Sequence, residues 1–377
     1  MFEEKVSLCL IVKNEEDFLE RCVSSVRDLV EEVIILDTGS SDKTLEIAHR
    51  LTDKVFVKEF SGDFSEMRNL AMSKAKNEWI LFLDADEFLY PKEINKLKKM
   101  ISDGIDKNVG GVKFYAYNFF NTGGWFTSHV LRLFRNNKGF HYERAVGERI
   151  EKSITDRGFD VIEPDILLTH IGYYKPREYR YRKMENYISI AEKQIEENSN
   201  DFLAYAYKGI NLRNNGYLEE AYYFTEKAVR GNPNSFIIQS FFGSVARSVK
   251  KDSLAIQAYY EAEKLAPKKM KSIMKNNRGV IVMSQGKYEE AEKIFSEAYS
   301  GNPHLIHILL NLGLTKYFLG KFEEADICFK RVVERNPTFL NRSETSFFEA
   351  DPFQAFTYET IYGYPGLRFF MEAVRDY

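Results

Sequence analysis

The chain has 377 residues, 44% hydrophobic and 29% charged, the balance of a soluble globular protein of two or three domains at roughly 150 residues each. Its 53 basic and 56 acidic residues leave a formal net charge of −3, which excludes electrostatics as a reason to expect nucleic acid or an anionic membrane as the main partner. Three scattered cysteines, Cys9, Cys22 and Cys328, exclude a disulfide framework and a zinc cluster. No apolar run approaches the roughly 18 residues of a membrane span, and the acidic N-terminus does not read as a signal peptide, so a cytoplasmic setting is expected.

The first half alternates. VSLCLIV (6–12), EVIIL (32–36), KVFVKEF (54–60) and WILFLD (79–84) are short apolar runs rich in branched residues, separated by segments of helical period. Near-continuous apolar strands alternating with helices predict a parallel sheet covered on both faces. Such sheets bind ligands beyond the carboxyl ends of their strands. There the chain places Asn14 and Glu15 after the first strand, Asp37 after the second, and Asp84 and Asp86 after the fourth. G-x-G-x-x-G and P-loop patterns are absent, so no glycine-rich cradle holds phosphate. Two carboxylates at i and i+2 after a buried strand suit Mg²⁺ or Mn²⁺, which take one or two protein carboxylates and complete their shell with water and phosphate oxygens. The bland alternatives are a solvated acidic turn at 84–86 and an Asx turn at Asp37.

The second half repeats. Gly209, Gly243, Gly279 and Gly313 stand 34, 36 and 34 residues apart; Ala221, Ala255, Ala291 and Ala325 follow them by 12 residues each, and Pro233, Pro267, Pro303 and Pro337 keep the same steps. Small residues belong where two helices of a unit approach closely, and proline ends the second helix. Four such units stack into a solenoid, since none buries its apolar face alone. The expected organisation is an α/β domain at 1–175, a helical connector at 176–201, four repeats at 202–339 and an aromatic C-terminal cap at 340–377.

The repeats resemble the tetratricopeptide repeat, a helix–turn–helix unit of about 34 residues. Taken together, VKNEE, ILDTGSSDKT, SEMRNLA and LDADE, with HVLRLFRN (129–136) and THIGY (169–173) beyond them, resemble a family 2 glycosyltransferase of the GT-A fold. Among such enzymes the attached repeats are similar to those of bacterial peptide S-glycosyltransferases that modify glycocins. The resemblance implies an α/β GT-A domain followed by an all-α solenoid. It implies that Val12, Asn14 and Glu15 border the nucleotide, that Asp37 accepts a hydrogen bond from uracil, and that Arg68 helps fix the same end. It further implies that Asp84 lies against ribose and metal, that Asp86 ligates the Mn²⁺ or Mg²⁺ ion, and that His170 is an additional ligand.

In that reading a hexose or N-acetylhexosamine moves from a UDP-sugar to a Ser, Thr or Cys side chain of a peptide or protein, with inversion. The base is expected in FHYERAVGERIEKS (140–153), where relatives carry a His at the position of Gly147; Glu148 is the first choice, with Glu143 and His141 as competitors. The repeats offer a groove for the acceptor or a surface for a second copy of the chain. Transfer to a polysaccharide or lipid-linked glycan, hydrolysis of the nucleotide sugar, and a non-catalytic repeat scaffold stand as alternatives.

Overall fold

A computed structural model of the chain describes residues 4–120, 125–173, 177–268 and 270–335; the expected cap at 340–377 and Pro337 lie outside them. The chain divides into two compact units, one α/β and one helical.

In the α/β unit, β1 (Val6–Val12), α1 (Leu19–Val26), β2 (Glu32–Asp37), α2 (Thr44–Leu51), β3 (Val55–Val57), α3 (Phe64–Met72) and β4 (Trp79–Phe82) follow one another as the apolar runs predict. Their strands lie in the order β3-β2-β1-β4, all parallel. Alternation sends Val6, Leu8, Leu10 and Val12 to the face covered by Leu19, Cys22 and Val26 of α1 and by Ile47 of α2. Cys9, Ile34, Leu36 and Phe82 face the other side, against Met67 and Ala71 of α3. Each of the larger chains removed from water there contributes about 1.5–3 kcal/mol. All three cysteines are buried free thiols.

The remaining elements are β5 (Glu87–Phe88), α4 (Pro91–Ser102), β6 (Val109–Phe120), β7 (Trp125–Arg135), α5 (Glu151–Thr155), β8 (Asp160–Ile162) and β9 (Leu167–Tyr173). They correct the expectation of a parallel sheet. β7 runs antiparallel to β4, with Leu81 opposite Leu133, and the nine-stranded sheet continues β7-β6-β9-β5, with β8 beside β6. Parallel neighbours need a crossover helix, and the chain supplies one after each of β1, β2 and β3; antiparallel pairing needs none. β5 pairs antiparallel with β9, setting Glu87 opposite His170.

The helical unit begins with α6 (Arg177–Glu197). Four antiparallel pairs follow: α7 (Phe202–Asn214) with α8 (Leu218–Gly231), α9 (Phe236–Ser248) with α10 (Asp252–Leu265), α11 (Lys271–Ser284) with α12 (Tyr288–Gly301), and α13 (Ile306–Phe318) with α14 (Phe322–Arg335). The recurring glycines are close approaches: a Cβ on Gly313 would come within 2.6 Å of the Phe329 ring, and one on Gly279 within 2.8 Å of Phe295. The turns inside three of the pairs use Gly216, Gly286 and Gly320 in the left-handed region, at φ of 89°, 75° and 74°. The second pair places Lys250 there instead, at φ 59°.

Candidate active site

The carboxyl ends of β1 and β2 are knitted together by their own side chains. Asn14 turns the chain in the left-handed region at φ 56°, a conformation that asparagine tolerates better than most residues. Its backbone N–H donates to Ser40 Oγ (3.0 Å), and its side-chain oxygen accepts from the Ser41 N–H (2.8 Å). The Glu15 N–H donates to Thr44 Oγ1 at 2.6 Å, which ties the same corner to the start of α2. Val12 is buried opposite Asp37 in the register, and its carbonyl accepts from the Thr38 N–H (2.9 Å) and hydroxyl (3.0 Å). Asp37 does form the Asx turn: Oδ1 accepts from the N–H groups of Gly39 and Ser40, both at 2.9 Å. Its other oxygen, Oδ2, is buried and has no partner among the described residues. An unpaired buried carboxylate oxygen costs on the order of 1–3 kcal/mol unless a donor arrives, so Asp37 caps a turn and keeps one acceptor in reserve.

The end of β4 is a network of charges in which Arg68 and Glu87 are buried and Asp84 is about one-third exposed. Asp84 is gripped at both oxygens, Oδ1 by Arg68 Nη2 (2.9 Å) and Oδ2 by Arg132 Nη2 (2.7 Å). Arg132 also donates to Glu87 Oε1 (2.6 Å), and Glu87 Oε2 accepts the Asp84 backbone N–H (3.0 Å). Burial works to raise the Asp84 pKa, but Arg132 and Arg68 outweigh it and hold the carboxyl well below the usual carboxylate range. Burial, joined by the Asp84 charge, pushes Glu87 up against the pull of Arg132. Each Asp84 oxygen accepts one guanidinium bond and keeps a second lone pair, and the side chain is about one-third exposed, which leaves room for the ribose and metal contacts that the resemblance implies.

Asp86 is different. The β5–β9 register carries His170 to it, with His170 Nε2 3.3 Å from Asp86 Oδ1, and the Ile171 N–H donates to the Asp86 carbonyl (3.0 Å). His170 Nδ1 faces Asn118 Oδ1 at 2.7 Å, which fixes the proton on Nδ1 and turns Nε2 toward Asp86. Burial disfavours a protonated His170, but Asp86, Glu87 and Asp84 overcome this and raise its pKa above the ordinary value. Gly172 completes a cradle, since a Cβ there would collide with the Asp86 carboxylate and come within 2.8 Å of His170 Nε2. Among the described residues, no group of three or more His, Cys, Asp or Glu side chains is arranged to hold a metal ion. The pair nonetheless fits a Mg²⁺- or Mn²⁺-type ion, which needs few protein ligands when water and phosphate oxygens complete its shell.

Arg68 pairs with carboxylates other than Asp37. Its guanidinium is buried under the rings of Phe82 (4.8 Å) and Tyr142 (5.4 Å) and joins Asp84 to Glu148, whose Oε1 accepts from Arg68 Nε at 2.9 Å. Nε and Nη2 serve this bridge, while Nη1 is buried without a partner among the described residues. The alternative bases sit apart from that bridge: His141 Nε2 and Glu143 Oε1 face each other at 3.3 Å, both largely exposed. Gly147 stands at φ 67°, a strained conformation for a histidine, which explains why this loop carries glycine there. Arg132 and Asn118 carry much of the geometry and had no assigned role from sequence. The available signal for Arg132 was a charge inside the apolar run HVLRLFRN, a residue type seldom buried without a partner.

Residues 7–169 match the family model for glycosyl transferase family 2, and residues 306–339 match one for the tetratricopeptide repeat. Residues 7–169 therefore carry a family 2 glycosyltransferase domain, and the helical unit that follows includes a tetratricopeptide repeat. It is similar to a TPR repeat-containing protein of Synechococcus elongatus, 34% identical over 46% of this chain and 43% of that one. It is also similar to an uncharacterized glycosyltransferase of Rickettsia bellii, 42% identical over 24% of this chain and 30% of that one. The SPbeta prophage-derived glycosyltransferase SunS of Bacillus subtilis is 41% identical over 22% of this chain and 20% of its own length. The chain spans less than half the length of each of these relatives. The crystal structure of MamA matches 44% of the chain at 20% identity and a TM-score of 0.37.

Proposed function

We propose that the chain is a metal-dependent, inverting glycosyltransferase that moves a hexose or N-acetylhexosamine from a UDP-sugar to a Ser, Thr or Cys side chain of a peptide or protein. The observation that carries this reading is the pairing of Asp86 with His170 at the carboxyl edge of the sheet, beside a glycine whose Cβ would fill the space. The SunS relative favours a donor-sugar transferase, and the repeats favour a protein partner in their groove or a second copy of the chain.

In this reading the reserve oxygen of Asp37 accepts the uracil N–H, while Val12, Asn14 and Glu15 form the wall beside it. Asp86 and His170 hold the divalent cation, which when bound would neutralise the charge that grows on the diphosphate leaving group. Arg68 helps fix the uracil end, and Asp84, held by Arg68 and Arg132, lies against the ribose and the metal. Glu148, fixed through one oxygen by Arg68, takes the acceptor's O–H or S–H proton with the other. The acceptor atom forms its bond to the anomeric carbon as the bond to the diphosphate breaks, and UDP leaves with inverted configuration at the sugar. No helix among the described residues is long and apolar enough to cross a membrane; a UDP-sugar donor fits a cytoplasmic setting. The catalytic part is proposed to span 1–175 and the repeats 202–339, joined by a connector at 176–201 and closed by a cap at 340–377.

The test is UDP release from a panel of UDP-sugars with Mn²⁺ and a cysteine-, serine- or threonine-bearing peptide pool, comparing the wild type with Asp86→Ala. Release from one donor, lost in the variant, supports the reading and names the sugar. Absence of both turnover and metal-dependent UDP binding sinks it and leaves the repeat scaffold.

A further inference from the structure

The loop that carries Glu148 does not hold its own shape. Within eight residues of Tyr142 it places Arg144 at φ 84° and Gly147 at φ 67°. A non-glycine residue in that region is strained, and such strain persists only where the surroundings over-determine it. The surroundings here are one face of α3. Asn69 takes both backbone groups of Tyr142, donating from Nδ2 to its carbonyl (3.0 Å) and accepting its N–H at Oδ1 (2.8 Å). The Ser65 hydroxyl donates to the carbonyl of the strained Arg144 at 2.5 Å, and the Phe64 N–H donates to the Ala145 carbonyl at 3.0 Å. Arg68, between them on the same face, holds Glu148. Within the loop, Glu143 and Arg149 close a two-bond antiparallel bridge (3.1 and 3.2 Å), which carries the end secured by Asn69 through to the residue after Glu148.

We propose that Asn69 and Ser65 are positioning residues for the reaction, acting through the 142–149 loop to set Glu148 against Asp84. The inference rests on the reading of Glu148 as the base. One guanidinium spans both carboxylates, so the separation of Glu148 from the donor-side Asp84 is set by Arg68, while the approach of the loop to that guanidinium is set by Asn69 and Ser65. Neither Asn69 nor Ser65 belongs to the nucleotide or metal group. Their loss should leave donor binding intact and displace only the base, and a displacement of about 1 Å costs up to ~100-fold in rate.

The experiment uses the full chain with its donor and acceptor. Asn69→Ala is expected to lower kcat by about 10- to 100-fold, with the donor KM and the Mn²⁺-dependent Kd for UDP within about twofold of wild type. Asn69→Asp keeps the acceptor and loses the donor, so it should fall between. Ser65→Ala removes a single bond and should show the same signature at about 3- to 10-fold, which keeps the test open where Asn69→Ala fails to fold. A double-mutant cycle then separates positioning from general damage: in a Glu148→Gln background, Asn69→Ala should cost nothing further. Full activity of Glu148→Gln overturns the base assignment and this proposal with it. An inactive Glu148→Gln together with undiminished kcat in Asn69→Ala and Ser65→Ala, or additive losses in the cycle, overturns the positioning role alone.

Discussion

The two units of this chain use buried groups in opposite ways. The helical unit is built on repetition: small residues at fixed spacing let helices close on one another, and its described left-handed residues are turn positions. The α/β unit gathers what a stable fold avoids. Arg68, Asp86 and Glu87 are buried charged residues, Asp84 and Arg132 join them, and Asn14 and Arg144 occupy left-handed backbone beside them. Strain and buried charge persist where something else holds them in place, and the concentration of both at the carboxyl edge of one sheet marks where the chemistry belongs. The regularity of the repeats, by contrast, serves packing and surface.

The contrast breaks most readily at Arg132. Arg132→Ala leaves Asp84 and Glu87 adjacent with one guanidinium fewer, a loss of about 3–5 kcal/mol for a broken buried pair. Urea unfolding should show that loss in the α/β unit. An unchanged midpoint would mean that the network is dispensable to the fold. Gly172→Ala probes the cradle more narrowly. The added methyl meets Asp86 and His170, and Mn²⁺-dependent UDP binding should weaken by about 10- to 100-fold, measured by calorimetry.

A charged group remote from the site sharpens the comparison from the other side. Glu32 is buried at the start of β2; burial alone would raise its pKa, but hydrogen bonds from Lys54, Ser7 and the Lys76 N–H lower it. A carboxyl with a depressed folded-state pKa stabilises the fold above its unfolded pKa, about 4.3, and loses that contribution as pH falls through its folded value. Glu32→Gln should therefore cost about 1–2 kcal/mol at pH 7 and progressively less in acid, the two unfolding curves converging below about pH 4. Parallel curves across that range would mean that Glu32 stabilises by shape and not by charge. The smallest effect belongs to the repeats. Lys250→Gly restores the turn residue that the other three pairs carry and should stabilise the helical unit by about 0.5–1 kcal/mol in thermal unfolding.

Much of the molecule was legible because it is local. The four repeats follow from Gly209, Gly243, Gly279 and Gly313 with their alanines, since contact between paired helices demands small residues at fixed intervals along one chain. The strands before Asn14, Asp37 and Asp84 show as apolar runs, and a carboxylate directly after such a run lies at its carboxyl end whatever the rest of the sheet does. Asp86 could be singled out for the same reason. The rest of the sheet was not legible, because β7 finds β4 and β9 finds β5 across the fold, pairings that carry no crossover signature.

The partners of the site residues belong to the same class. Sequence alone marked Asp84 as a site carboxylate, but its engagement by Arg68 and Arg132 joins residues 16 and 48 positions away. His170 could be singled out from a short motif, whereas its approach to Asp86 depends on the β5–β9 register. Asn69 lies in the SEMRNLA segment that carries the resemblance, but only the folded chain shows it holding Tyr142, 73 positions on. Spacing and hydropathy act between near neighbours along the chain and so determined elements, repeats and strand ends. Which charge meets which was left to tertiary packing, since burial makes pairing obligatory without specifying the partner.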